Sequence, residues 1–255
     1  MVRAQGPQGI RTREELKALV VSKGTGSARE NEQVFDKWFA DAPRRSFRIA
    51  ARRHGLTDKL VCDVGCAYGM NLPFCAPGSY GIEIDPEKAR FGQALGLTIH
   101  QRDAVAEELG DLPRVDAVWC CDVLPHVDSP HVLLRKLHLL LKPDGLLFLY
   151  SPTMPLMPWL RHLPRIGRYF HGWEAADHVS AYTPATLEFA AARAGFRTVE
   201  MTPLLPFPLS LIPGSGGLVD GCLYVGRKIE GWDYPAKATR SVPTEGPGDA
   251  RRQSR

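Results

Sequence analysis

A glycine turn set between two short apolar runs constrains this chain more than any other stretch. Residues 59–85 read KLVCDVGCAYGMNLPFCAPGSYGIEID, which fits strand, turn, helix, strand and acid in that order. Lys59 to Val64 is apolar enough for a buried strand, and Gly65, Cys66, Ala67, Tyr68 and Gly69 cannot prolong it. Glycines at such a turn admit positive φ and let backbone N–H groups approach a ligand, and a helix N-terminus behind them favours a polar or anionic group. Ser79 to Ile84 is the second apolar segment, and Glu83 and Asp85 stand at its end. An acid roughly 20 residues past a turn of this kind pairs with ribose hydroxyls in nucleotide-binding α/β units.

The rest of the chain keeps the alternation going. Pro86 at a first helical position opens a helix to Leu95, Leu97 to His100 forms a third strand, and Arg102-Asp103-Ala104 follows it. Arg114 to Cys121 (RVDAVWCC) is a fourth strand, apolar enough for the middle of a parallel sheet, and runs into Asp122-Val123-Leu124-Pro125-His126. A helix from Pro130 to Leu141, a break at Lys142-Pro143-Asp144-Gly145 and a fifth strand, Leu146 to Tyr150, come next. Thr183-Pro184 opens a further helix to Ala194, and Phe196 to Met201 and Leu218 to Arg227 are the last strands, separated by a proline and glycine loop from Pro203 to Gly217. Parallel strands joined by right-handed crossovers put their carboxyl ends, and any ligand, on one rim. Asp63, Glu83, Asp103 and Asp122 to His126 all fall there. Upstream, Thr12 to Ser22 reads as a helix with a Thr cap and Glu15 three residues on. Glu30 to His54 is a helical extension interrupted at Pro43.

The dinucleotide pattern G-x-G-x-x-G is met only at its first glycine, since Ala67 and Met70 occupy the other two places. The turn instead resembles the D-x-G-x-G-x-G turn of the class I S-adenosylmethionine-dependent methyltransferases, written here as Asp63, Gly65, Ala67 and Gly69. Ala67 departs from it. A methyl there is tolerated at negative φ but narrows the space for the cofactor's amino-acid end. Residues 121–152, CDVLPHVDSPHVLLRKLHLLLKPDGLLFLYSP, resemble the same family's vLeHv…LL…LkPGG segment, with Pro125 where Glu is frequent and Asp144 where Gly is frequent. The resemblance implies a three-layer, Rossmann-like α/β fold: a seven-stranded, mostly parallel sheet, its last strand antiparallel at the end of the sheet, helices on both faces.

It also implies S-adenosylmethionine as cofactor. Asp63, Gly65, Cys66, Ala67 and Gly69 would lie along its methionine portion, Glu83 at the ribose, and Ile84 and Asp103 at the adenine, with Ala104 and Asp122 also among the cofactor-binding residues. Methyl transfer from a sulfonium needs alignment and exclusion of water, with a base only for an acceptor proton of high pKa. His126 is the candidate base, His178 a weaker one and His171 weaker still. The expected reaction is O-methylation of a small apolar or aromatic acceptor. The alternatives are a non-catalytic binder of the same cofactor and a nicotinamide-dependent oxidoreductase. Nucleic-acid amine methylation is disfavoured, because no Asn-Pro-Pro-Tyr type motif follows Asp116.

Charge adds little. The formal balance over 255 residues is +4, and three of those charges belong to residues 236–255, so the folded part gives no reason to expect a nucleic-acid partner. Six cysteines without a C-x-x-C pair read as buried thiols in a reducing, cytoplasmic setting, with no metal site among them. Residues 1–57 read as a helical extension, 58–229 as the methyltransferase domain and 230–255 as a disordered basic tail. About residues 152–181, Met154, Leu156, Met157, Trp159 and Trp173 interleaved with Arg161, Arg165 and Arg168 form an insertion. It is expected to be an apolar lid over the crevice or a peripheral membrane contact.

Overall fold

The computed structural model describes residues 12–154, 174–204 and 221–233, with residues 159, 162 and 164. Capping chemistry starts the N-terminal helices. Before α1 (Arg13–Lys23), the Thr12 hydroxyl accepts the Glu15 N–H while the Glu15 carboxylate accepts the Thr12 N–H, and Ser27 and Glu30 repeat the device before α2 (Ala28–Val34). A π-helical turn, Phe35–Phe39, continues α2. After a break, α3 (Arg45–His54) ends on Gly55 at φ 61°, a left-handed close that glycine makes without strain.

The sheet is built from β1 (Val61–Val64), β2 (Tyr80–Glu83), β3 (Ile99–Gln101), β4 (Val115–Cys121), β5 (Leu141–Pro152), β6 (Phe196–Pro203) and β7 (Gly221–Lys228), in the order β3-β2-β1-β4-β5-β7-β6. The first five pair in parallel, and β7 runs antiparallel to both neighbours. The expected antiparallel last strand is present, but β7 is wedged between β5 and β6, and β6 forms the edge. The Lys142 to Gly145 break lies inside β5, because Leu141 already pairs with Val115 ahead of a register shift.

Alternation along each strand divides the core between two faces. On one, Val64, Ile82, Val118, Cys120 and Leu149 pack under α5 (Pro130–Leu140) and α6 (Pro184–Ala192). On the other, Val61, Ala117, Trp119 and Phe148 pack under Phe47 and Ala50 of α3, while Cys66 and Leu72 meet α1 and α4 (Pro86–Ala94). The helix expected between the glycine turn and β2 is absent. Only a 3-10 turn, Leu72–Phe74, forms there, since Pro73 and the Pro77-Gly78 pair leave too few residues to nucleate an α-helix.

No helix among the described residues is long and apolar enough to cross a membrane. The start of the expected helical extension (residues 1–11), residues 234–255 of the expected tail, His171, most of the expected lid with its membrane contact, and most of the loop after Pro203 lie outside the described residues.

Candidate functional site

The rim at the carboxyl ends of β1 to β4 is built from turns that hold one another. Gly65, Ala67 and Gly69 sit at φ 67°, 50° and 79°. Gly65 and Cys66 both donate their N–H to the Ile82 carbonyl (2.8 and 3.2 Å), and Ala67 N–H donates to Glu83 Oε2 at 2.7 Å. Two expectations are corrected here. The first three N–H groups of the turn are satisfied from within, so they form no open cradle for an anion. Ala67 tolerates its place at positive, not negative, φ, because the bond to Glu83 holds it there. Cys66 contributes backbone only, since its thiol is turned inward against Gly81 and burial pushes it up.

Glu83 is buried, 6% exposed, with Oε1 accepting the Asp85 N–H at 2.9 Å as Oε2 takes that of Ala67. Two bonds leave an ionised carboxylate with lone pairs to spare. Asp63 is 2% exposed and lies under the rim, with Oδ2 accepting from the Asn71 amide at 3.3 Å. Burial pushes its carboxyl up to about 7, Asn71 opposes that, and Glu83 adds to it. Past β3, Asp103 Oδ1 accepts from Val105 and Ala106 N–H at 2.8 and 3.0 Å, so this acid caps the turn that follows it.

Gly65, Ile84, Asp103, Ala104, Val105, Val123 and Val127 line a crevice of about 80 Å³. Its walls are apolar with Asp103 at the edge, and Ile84 is 61% exposed beside it. A Cβ on Gly65 would come within 2.4 Å of Val123 Cγ2, so glycine is what lets the segment after β4 close over the turn.

That segment begins at Asp122, φ 58°, whose N–H donates to the Tyr150 carbonyl. His126 ends a 3-10 turn, Leu124–His126, with Nδ1 3.2 Å from the Asp177 carbonyl and 3.4 Å from its carboxylate. The ring of His178 stands at 4.7 Å, edge to face. His126 and His178, two of the three histidines named from sequence, are therefore brought together, with Asp122 beside them.

A larger cavity, about 510 Å³, opens between the N-terminal helices and the tips of β4 and β5. Lys37, Trp38, Asp41, Arg44, Arg45, Arg48, Cys121 and Tyr150 line it. None of its four cations stood out in the sequence as a site residue. Arg44 in particular acts electrostatically on both Asp63 and Cys121. The run Arg44-Arg45-Ser46-Phe47-Arg48 was a visible cue, since it sets cations on one side of a helix whose other side, through Phe47, enters the core.

Known proteins resemble this chain in sequence and in fold. The chain is 32% identical over 131 residues to the ubiquinone biosynthesis O-methyltransferase of Haemophilus ducreyi, a match covering 46% of this chain and 56% of that protein. It is 33% identical over 106 residues to that of Pseudomonas paraeruginosa, covering 38% and 46%. The chain thus spans about half the length of the curated relatives it matches. An S-adenosylmethionine-dependent methyltransferase from Mesorhizobium loti superposes with TM-score 0.55 at 18% identity, over 72% of this chain and 99% of that one. Human N-acetylserotonin methyltransferase, solved with S-adenosylmethionine, gives 0.55 at 15% over 77% and 55%, and the same sheet carries a [4+2]-cyclase, SpnF, at 0.51 and 17% over 72% and 81%. A methyltransferase-domain family model matches residues 31–201, more than half of the chain, and to that family the chain belongs.

Proposed function

We propose that the chain is an S-adenosylmethionine-dependent O-methyltransferase whose acceptor is a small aromatic molecule carrying an acidic group. The crevice between Gly65, Ile84, Asp103 and Val123 carries the reading, because four strand tips supply its walls. A flat ring with an exocyclic amine matches apolar walls with one carboxylate at the edge. The buried Glu83 suits a vicinal hydroxyl pair, and the exposed face of Ile84 gains cover from the ring. Asp63, held near neutrality in its pKa by burial, sits under the turn where the cofactor's ammonium would approach, and a cation there favours its ionised form.

The acceptor room is the larger cavity, with Trp38 and Tyr150 as aromatic surfaces and, among the described residues, Lys37, Arg44, Arg45 and Arg48 against the single acid Asp41. The relatives are O-methyltransferases of ubiquinone biosynthesis, which supports oxygen as the target atom. His126 and His178, brought together after β4, would serve the acceptor hydroxyl.

Calorimetry with S-adenosylhomocysteine tests the cofactor site. Glu83→Ala and Asp103→Ala are each expected to weaken binding about tenfold or more, by loss of hydrogen bonds to a charged acceptor. Undiminished affinity in both variants, with melting temperatures unchanged, would remove the crevice from the reaction.

A further inference from the structure

The cluster formed by Asp122, His126 and His178 is more than a base and its neighbour. One ligand atom from each of the three side chains lies within 4.8 Å of the others. Asp122 Oδ1 is buried and has no hydrogen-bond partner among the described residues. A carboxylate oxygen taken out of water with nothing to accept from costs free energy unless a cation meets it. Its backbone is held at φ 58°, a conformation that a non-glycine residue adopts at a cost.

His126 is oriented as a ligand would be. His126 Nδ1 faces the Asp177 carbonyl at 3.2 Å. A carbonyl only accepts, so the proton sits on Nδ1 and the lone pair on Nε2 is left for another partner. This is the outer-shell bond that fixes a metal-binding imidazole. His178 is delivered from a different part of the chain. The N–H groups of Val179 and Ser180 both donate to the Pro125 carbonyl, at 2.8 and 3.1 Å, which pins the segment after His178 against the turn carrying His126. Residues 56 positions apart in the chain, Asp122 and His178, meet through that clamp.

We infer that Asp122, His126 and His178 form a binding site for one divalent transition ion, zinc being the closest match, with one coordination position left for the acceptor's hydroxyl oxygen. Two imidazoles and one carboxylate are a zinc donor set, and three protein ligands leave the fourth tetrahedral position open. Donors about a zinc at roughly 2.0–2.1 Å stand about 3.3 Å apart, so each side chain closes by about an ångström. In the chain the site lies between Cys121, which lines the acceptor cavity, and Val123, which lines the crevice.

Its use rests on the O-methyltransferase reading, whereas the binding of the ion does not. The ion polarises the acceptor O–H and its proton passes to solvent. The oxygen lone pair then forms the bond to the methyl carbon as the carbon–sulfur bond breaks, and that bond's electron pair leaves the sulfur as a neutral thioether. His126 is then a ligand and not the base, and Lewis acidity replaces proton abstraction.

The test is calorimetry with zinc chloride on tag-free, full-length protein dialysed against a chelator, with S-adenosylhomocysteine titrated separately. One zinc per chain is expected. Asp122→Asn and His178→Ala, which enter from different segments, should each weaken it tenfold or more at unchanged melting temperature. Cobalt substitution should show visible bands of nitrogen and oxygen ligation, without the near-ultraviolet thiolate absorption that binding at cysteine would give. Zinc affinity unaltered in both variants, or no zinc bound, overturns the inference. Loss of zinc binding in His178→Ala with S-adenosylhomocysteine affinity intact would confirm the ion site. Intact zinc with no S-adenosylhomocysteine binding would sink the methyltransferase reading alone.

Discussion

Asp63 sits inside β1, and burial pushes its carboxyl up to about 7, while in the unfolded chain it titrates near 3.9. Below that lower value both states are protonated. Between the two, only the folded state keeps the proton, so stability falls as pH rises, by up to about 1.4 kcal/mol per pH unit, and the loss levels off above about 7. Asp63→Asn removes the titration and still accepts from Asn71. Denaturant midpoints from pH 5 to 8 should decline in the wild type and stay flatter in the variant, and parallel curves would refute the burial argument. A ligand ammonium near Asp63 would pull its pKa down. Homocysteine-analogue binding should therefore release a proton below pH 7 and tighten with rising pH, which calorimetry in buffers of different ionisation heat reads directly. Ala67 is the second case. At φ 50° its Cβ is strained, so Ala67→Gly is expected to stabilise the protein by about 0.5–1 kcal/mol, the strain relieved exceeding the entropy glycine adds to the unfolded chain. A melting temperature that drops would mean its packing against Tyr68 and its neighbours outweighs the strain.

Among elements, the contact that couples the two halves of the rim is Gly65 against Val123. An added methyl would stand 2.4 Å from Val123 Cγ2 at a residue with φ 67°. Gly65→Ala is expected to lose about 2 kcal/mol or more, combining left-handed strain with overpacking. Adding Val123→Ala should restore the steric part and leave about 1–2 kcal/mol for the backbone. If urea unfolding shows the second change giving nothing back, the two turns are not in the contact described. These elements also show what a sequence exposes. Thr12, Ser27 and Thr183 cap their helices through bonds spanning three residues, and the first and last of these starts were legible for that reason. The positions of Glu83, Asp103 and His126 on one rim were legible too, because parallel crossovers fix which strand ends share an edge. The missing helix before β2 was written in Pro73 and Pro77-Gly78, which the strand, turn, helix, strand reading of residues 59–85 passed over. The insertion of β7 between β5 and β6 was not legible, since strand order depends on pairings across some 75 residues, such as Phe148 with Val225.

At the scale of the whole molecule, the N-terminal helices do what the strand pattern alone could not reveal: they turn an open rim into a room. α3 packs Phe47 on Trp119 at 5.2 Å between ring centroids, and this seats Arg44, Arg45 and Arg48 over the tips of β4 and β5. Lys37 and Arg44 lie 5.5 and 5.9 Å from the Trp38 ring centroid, within cation–π reach, so the cations and the aromatic wall form one surface. The folded body is close to neutral, yet this cavity holds four cations and one acid, which biases it toward an anionic guest. The prediction uses 3,4-dihydroxybenzoate and its methyl ester as paired acceptors with S-adenosylmethionine. Wild-type protein should favour the acid. Arg48→Glu should raise the acid's KM by roughly fivefold, the scale of exposed charge pairs, while leaving the ester's KM and the affinity for S-adenosylhomocysteine nearly unchanged. The preference should shrink at high salt, because these side chains are solvent-exposed and screened. Equal KM values for acid and ester, in wild type and variant alike, would show that the cationic lining takes no part in choosing the acceptor.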